Sequence, residues 1–285
     1  MGYSTIRHSL VLLTLIGGSF FQNPATAADL LPDTGQVLCY DGAQMVACTQ
    51  ANAGDQSPHP GQDGRYGRDP ASELGIPPKR GEGDGGFDYT KLCNSGEEAG
   101  QGDCPADPTP GDGLDDWGCV RDNITGLVWE VKTWAADSAD KGLRDGDWRY
   151  SWYDSNPLTN GGMAGTADAG EGDGRDICFD PARCDTEKYV ADVNALAIPL
   201  CGQRDWRLPT LREFLTLVHF GRFNPALDPA YFPNAKASWY WTGTTLASDD
   251  TMAWYLVTYN GRAYFYSKER GYTYHSVRLV RGGED

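Results

Sequence analysis

Histidine is scarce in this 285-residue chain: there are four, His8, His59, His219 and His275, and no two are near each other in sequence. No H-E-x-x-H, G-x-S-x-G or Walker string occurs, so the familiar signatures of zinc peptidases, serine hydrolases and nucleotide binders are missing. No C-x-x-C occurs either, which weakens zinc-ribbon and thioredoxin-like readings. Basic residues are outnumbered, 24 Lys and Arg against 40 Asp and Glu, for a net charge of −16. The deficit is local. Residues 28–200 carry 13 basic and 32 acidic residues, a balance of −19, whereas residues 201–285 carry 10 and 8, a balance of +2. Such an acidic half repels nucleic acid and anionic membrane surfaces, so any polyanion contact falls to the C-terminal part. A G-x-y repeat is absent, which excludes a collagen-like stalk and leaves the oligomeric state open.

Long apolar runs are also missing. Leu10 to Phe21 is too short to span a bilayer, and nothing later is long or apolar enough to do so. With Arg7 and His8 before it and Ala25-Thr26-Ala27 after it, this run reads as the core of a signal peptide over residues 1–27. The chain is therefore expected to be exported, to a periplasmic, cell-surface or secreted location.

The eight cysteines fit that compartment, because an even count in an exported chain favours disulfides. Eight cysteines allow many pairings. Proximity in sequence favours Cys39–Cys48, Cys93–Cys104 and Cys178–Cys184, and Cys119–Cys201 would then join distant segments.

Residues 28–115 are rich in Gly, Asp and Pro, as in Gly61–Asp69 and Gly81–Gly86. Short strands and loops are expected there, with partial disorder as the alternative. From 116 the pattern turns globular. Residues 125–132 read as a strand. Residues 142–183 read as a long Gly/Asp-rich insertion. Residues 186–198 read as a helix with Tyr189, Val193, Leu196 and Ala197 on one face. A second helix, 210–220, opens on the capping box Thr210/Glu213, in which each residue satisfies a backbone N–H near the other. Gly221 is its expected C-cap. Two helices on antiparallel strands make an α+β fold.

The C-terminal tail reads as strand. Met252–Thr258 and Ala263–Ser267 flank Asn260-Gly261, a strong hairpin signal. A two-residue loop pairs Tyr259 with Arg262, Val257 with Tyr264 and Tyr255 with Tyr266. One face then carries Tyr255, Tyr259, Arg262, Tyr264 and Tyr266. Tyrosine rings stack and their hydroxyls hydrogen-bond at little entropic cost, so this is the expected ligand face. The opposite face, with Trp254, Leu256, Ala263 and Phe265, is expected to be core. The competing reading is that the tyrosines are covered and serve packing.

Asp168, Glu171, Asp173, Asp176 and Asp180 crowd one Gly-rich loop. Calcium is the cation such oxygens would take, but the spacing is not that of an EF-hand and a solvated acidic loop is the favoured reading. No other cofactor is expected. Asn123-Ile124-Thr125 matches a glycosylation sequon and reads as a turn.

The string Asp205-Trp206-Arg207-Leu208-Pro209-Thr210 resembles the signature of the Lcl C-terminal domain family, named for a collagen-like adhesin. Cys119–Glu130, Trp148–Tyr153, Asn160-Gly161-Gly162, Cys184–Glu187, Tyr240-Trp241-Thr242 and Val277–Gly283 follow the same family in order, over residues 116–283. The resemblance implies a C-type-lectin-like domain, disulfide-stapled, with two helices on twisted antiparallel strands and long Gly/Asp-rich loops. Asp205, Trp206, Arg207, Thr210 and Glu213 are then structural. Calcium-dependent lectins grip sugars through Glu-Pro-Asn or Gln-Pro-Asp and Trp-Asn-Asp strings, which this chain lacks. The fold is also distantly similar to the formylglycine-generating enzymes, but those use a late Cys pair for copper, and no Cys follows Cys201. The expected function is non-catalytic binding of an extracellular glycan or surface polymer, with a role in adhesion. The alternative is a structural or protein-interaction module of the bacterial cell envelope.

Overall fold

The computed structural model describes residues 33–49, 54, 56–75, 78–168, 178–269 and 275–283. The signal segment 1–27 lies outside these residues. In the N-terminal region, β1 (Leu38–Tyr40) and β2 (Met45–Ala47) form a hairpin closed by Cys39–Cys48. Two short helices follow, α1 (Asp63–Tyr66) and α2 (Arg68–Glu73).

A four-stranded antiparallel sheet has the order β3-β4-β5-β9, from β3 (Tyr89–Cys93), β4 (Trp117–Asp122), β5 (Val128–Glu130) and β9 (Val280–Arg281). β9 returns from the end of the chain to pair with β5, Trp129 opposite Val280. A second antiparallel sheet runs β6 (Trp239–Leu246), β7 (Asp249–Val257) and β8 (Arg262–Ser267). In the chain, α3 (Thr186–Asn194) and α4 (Leu211–Leu215) come between β5 and β6.

α4 joins the two sheets. Its fully buried Phe214 meets Trp129 of β5 at 5.6 Å and Tyr240 of β6 at 5.8 Å between ring centroids. Leu217, Val218, Leu256 and Val280 complete this cluster, and so do Phe87 and Tyr89 from the region before 116. β3 is thus an integral strand of the sheet built by β4, β5 and β9.

Both helices are shorter than their periodicity predicts. α3 stops at Asn194, ahead of Pro199, and Asn194 turns its side chain to the Trp206 backbone, accepting from its N–H at 2.9 Å. α4 stops at Leu215 with Thr216 as its cap, so Gly221 is no C-cap. The apolar spacing after Leu215 serves a non-helical turn. Leu217 and Val218 remain buried, while Gly221 lies against the Gly35 carbonyl, where a Cβ would come within 2.5 Å.

Disulfides join Cys93–Cys104, Cys119–Cys201 and Cys178–Cys184, the second linking β4 to the turn before Trp206. A buried polar triad braces α3 on β5. Lys132 Nζ contacts Glu130 Oε1 at 3.0 Å and donates to the Tyr189 hydroxyl at 2.5 Å, and that hydroxyl donates to Glu130 at 2.5 Å. Burial outweighs the attraction of Glu130 and brings the Lys132 ammonium down to about 8. A buried charge is tolerable when paired and hydrogen-bonded in this way.

Candidate functional site

The tail hairpin differs from the sequence expectation in its register. Val257 pairs with Arg262, Tyr255 with Tyr264 and Ala253 with Tyr266, so Thr258–Gly261 form a four-residue connection. Thr258 is the cause. It is fully buried, its N–H donates to the Ser238 carbonyl at 2.9 Å and its hydroxyl to the Lys236 carbonyl at 2.6 Å. Its own carbonyl accepts from Ala226 N–H at 2.6 Å, and the Tyr259 carbonyl accepts from Asn224 N–H at 2.8 Å. These bonds take both residues out of the ladder. The turn still needs Gly261, because its φ is +73° and a Cβ there would meet Val218 Cγ1 at 2.4 Å.

A two-residue shift preserves side-chain parity. Tyr255, Arg262, Tyr264 and Tyr266 still share a face, now joined in register by Trp241 and Trp239 from β6. Tyr259 leaves it, and its exposed ring lies edge-on to Phe223 at 6.3 Å.

The inner half of that face is covered. Trp241, Ala253 and Tyr255 pack with Trp152, and His275 stacks on Trp241 at 4.1 Å with Tyr255 at 4.6 Å. The Trp241 indole N–H donates to the Tyr150 carbonyl at 2.9 Å, tying the covering segment to the sheet. Tyr255 is 8% exposed, and burial holds its hydroxyl above the usual phenol value. The outer half is open. Trp239 (49% exposed) and Tyr264 (44%) flank Tyr255, at 5.6 Å and 6.1 Å between centroids. The three rings form a strip across three strands, with interplanar angles of 37° and 30°. Arg262 stands exposed beside it, with no ion pair among the described residues. Trp239 was missed in the sequence because β6 was not registered against β7; its three-residue spacing from Thr242 carries no face information by itself.

The opposite face is core only in part. Leu256 is fully buried, but Phe265 is 49% exposed and meets Trp254 edge-on at 5.5 Å. Phe265 sits on β8, the outer strand of its sheet, beyond the reach of α4. The expectation that it is core is therefore wrong.

In the acidic loop, Glu171, Asp173 and Asp176 lie outside the described residues. Asp168 is engaged by the Lys188 ammonium and by Cys184 N–H, and Asp180 caps the following turn by accepting from Ala182 N–H at 2.9 Å. Among the described residues no group of three His, Cys, Asp or Glu side chains is placed to hold a metal.

Around the D-W-R-L-P-T string, Asp205 pairs with Arg281 of β9 at 2.8 Å, and Trp206 is 2% exposed, its indole N–H donating to the Leu200 carbonyl at 3.2 Å. Thr210 and Glu213 form both halves of a capping box. Arg207, Thr210 and Glu213 also line one wall of a cleft of about 510 Å³. Trp152, Tyr153 and Asp154 line another wall, and Thr186, Glu187 and Val190 of α3 a third. The sequence marks these motif residues as structural and does not show the cleft, since its walls come from four separate stretches, the fourth being Gly243 of β6.

The profile of the Lcl C-terminal domain matches residues 118–281 of the chain. No curated protein and no solved structure gives a significant match.

Proposed function

The chain belongs to the Lcl C-terminal domain family, and on that premise we propose that it is an exported, non-catalytic protein that binds glycans or other surface polymers and acts in adhesion. The strip Trp239–Tyr255–Tyr264 carries this reading. The two exposed rings, Trp239 and Tyr264, flanking the buried Tyr255 suit the apolar faces of sugars, and the adjacent Arg262 adds a cationic handle for acidic groups. The rigid three-stranded sheet beneath means little ordering is needed on binding.

Four disulfides support export, as does the lack of any helix among the described residues long and apolar enough to cross a membrane. The C-type-lectin-like reading of the fold draws on the return of β9 beside β5 and on the two flanking helices. All eight cysteines are in disulfides, which leaves none to serve as the copper-binding pair of a formylglycine-generating enzyme. The competing reading, an envelope protein-interaction module, draws on the exposed Leu38, Tyr40 and Met45 of the β1–β2 hairpin.

A glycan array probed with the wild-type chain and with Trp239→Ala and Tyr264→Ala tests the proposal. Binding to a polymeric glycan that falls at least tenfold in both variants supports it. Wild-type binding by both variants, or no glycan bound by the wild type, overturns it.

A further inference from the structure

The cleft beside the D-W-R-L-P-T string is separate from the aromatic strip and has a different chemistry. Its volume, about 510 Å³, falls within the roughly 300–1,000 Å³ range of small-molecule sites. Its apolar walls are Trp152, Val190 and Leu208, with Tyr153 at the edge. Thr159, Thr186 and Thr210 also line it, and their hydroxyls donate to Asp154, the Tyr153 carbonyl and Glu213.

The charges in this cleft do not balance. Arg207 and Glu213 neutralise each other through a two-bond pair. Asp154 and Glu187 remain. Both are half-buried, and both are fixed by neutral donors. Asp154 accepts from Asn156 N–H at 2.9 Å and from the Thr159 hydroxyl at 2.7 Å, and Glu187 accepts from Ser155 N–H at 2.6 Å. Among the described residues neither carboxylate has an ion-pair partner. The Lys268 ammonium, itself buried, is drawn toward Asp250 and then toward Asp154. Its protons go to the Asn160 carbonyl at 2.8 Å, the Thr245 hydroxyl at 2.7 Å and the Met163 carbonyl at 3.2 Å. Lys268 thereby clamps the segment that carries Asp154 and Thr159 onto the sheet and is not free to enter the cleft.

Two positioned carboxylates with no ion-pair partner among the described residues attract a cation. The apolar walls suit a body with one apolar face. The cleft is also larger than a single lysine side chain needs. We infer that it binds an amino sugar with a free, protonated amine, the ammonium seated between Asp154 and Glu187 and the ring against Tyr153 and Val190. The inference takes its class of ligand from the glycan-binding reading above, but it assigns a second site with its own selectivity.

Calorimetric titration of the full disulfide-bonded chain with a glucosamine oligomer, and with the N-acetylated oligomer of the same length, tests it. The expected result is binding of the free-amine oligomer, with the acetylated one at least tenfold weaker and the interaction weakening with added salt. Glu187→Gln should weaken the free-amine oligomer severalfold, and Glu187→Gln with Asp154→Asn tenfold or more. Near-UV circular dichroism establishes that the variants fold, and if Asp154→Asn does not, Glu187→Gln alone decides. Equal binding of the two oligomers, no binding of the free-amine oligomer to the wild type, or wild-type affinity in the charge variants overturns the inference. Those results leave the aromatic strip untouched, because its test is the loss of array binding in Trp239→Ala and Tyr264→Ala.

Discussion

Arg207 holds Glu213 by both carboxylate oxygens, Nη2 to Oε1 at 2.6 Å and Nη1 to Oε2 at 2.9 Å. Glu213 Oε2 also accepts from Thr210 N–H at 2.8 Å, so the same carboxylate caps α4 and anchors the arginine of the D-W-R-L-P-T string. Arg207 extends this to the residue after β9 by donating to the Gly282 carbonyl at 2.9 Å, and its backbone N–H donates to the Val280 carbonyl of β9 at 3.0 Å. Helix start, family string and last strand are one connected unit.

Thr210→Ala should therefore destabilise the fold by roughly 0.5–2 kcal/mol, the usual loss for an N-cap, as read by urea denaturation. Acid should erode the unit as well. Burial pushes the Glu213 carboxyl up, but Arg207 and Thr210 N–H outweigh it and hold the folded-state value below the ordinary 4.5. On acidification the unfolded chain takes up this proton first. The stabilisation is complete above the ordinary glutamate value and is lost as pH falls through the lower folded one. Glu213→Gln should flatten the stability profile below about pH 4.5, and an unchanged acid limb would refute the role given to Glu213.

Trp206→Ala should cost about 3–5 kcal/mol, since its ring is buried among Leu200, Val193 and the Cys119–Cys201 bridge. Thermal melts should show a drop well beyond that of Thr210→Ala. A stable Trp206→Ala chain would mean that the ring packs less tightly than described.

The same unit shows what local sequence can and cannot reveal. The capping box is a local pattern, three residues apart, and was legible as such. The lengths of the helices were not, because α3 and α4 are ended by tertiary demands: Asn194 is used by Trp206, and Gly221 is pressed against Gly35. The tyrosine face kept its parity because a two-residue slip returns every side chain to the same side of the sheet. The slip itself was invisible, since it depends on Thr258 being hydrogen-bonded by Ser238 and Lys236, some twenty residues upstream. The cleft was illegible for the same reason: residues 152–159, 186–190 and 207–213 are adjacent only after folding.

The disulfides should differ in worth. Cys119–Cys201 closes a separation of 82 residues and Cys178–Cys184 one of 6. On loop-closure entropy the first should contribute about 4–5 kcal/mol and the second about 2. Paired Cys→Ala variants, unfolded in guanidinium, should rank in that order. Equal losses would show that strain or residual structure in the unfolded chain dominates instead.

Phe265→Ala should cost under about 1 kcal/mol, because a half-exposed ring forfeits little buried area. Leu256→Ala, one strand inward and fully buried, should cost about 2–5 kcal/mol. Comparable midpoints for the two would mean that the outer strand is covered in solution.

The Cys119–Cys201 bond also decides how the domain bears mechanical load. A pull applied between residue 118 and residue 281, the limits of the family match, enters at β4 and leaves at β9. The covalent bond at Cys119 shortcuts the pulling path to Cys201, so the stretch between them cannot pay out. It contains β5, α3 and the walls of the cleft contributed by Trp152 and Glu187. Only the remainder, with the sheet that carries the aromatic strip, can lengthen under tension. A chain built this way has one portion that cannot lengthen and another of similar length that yields.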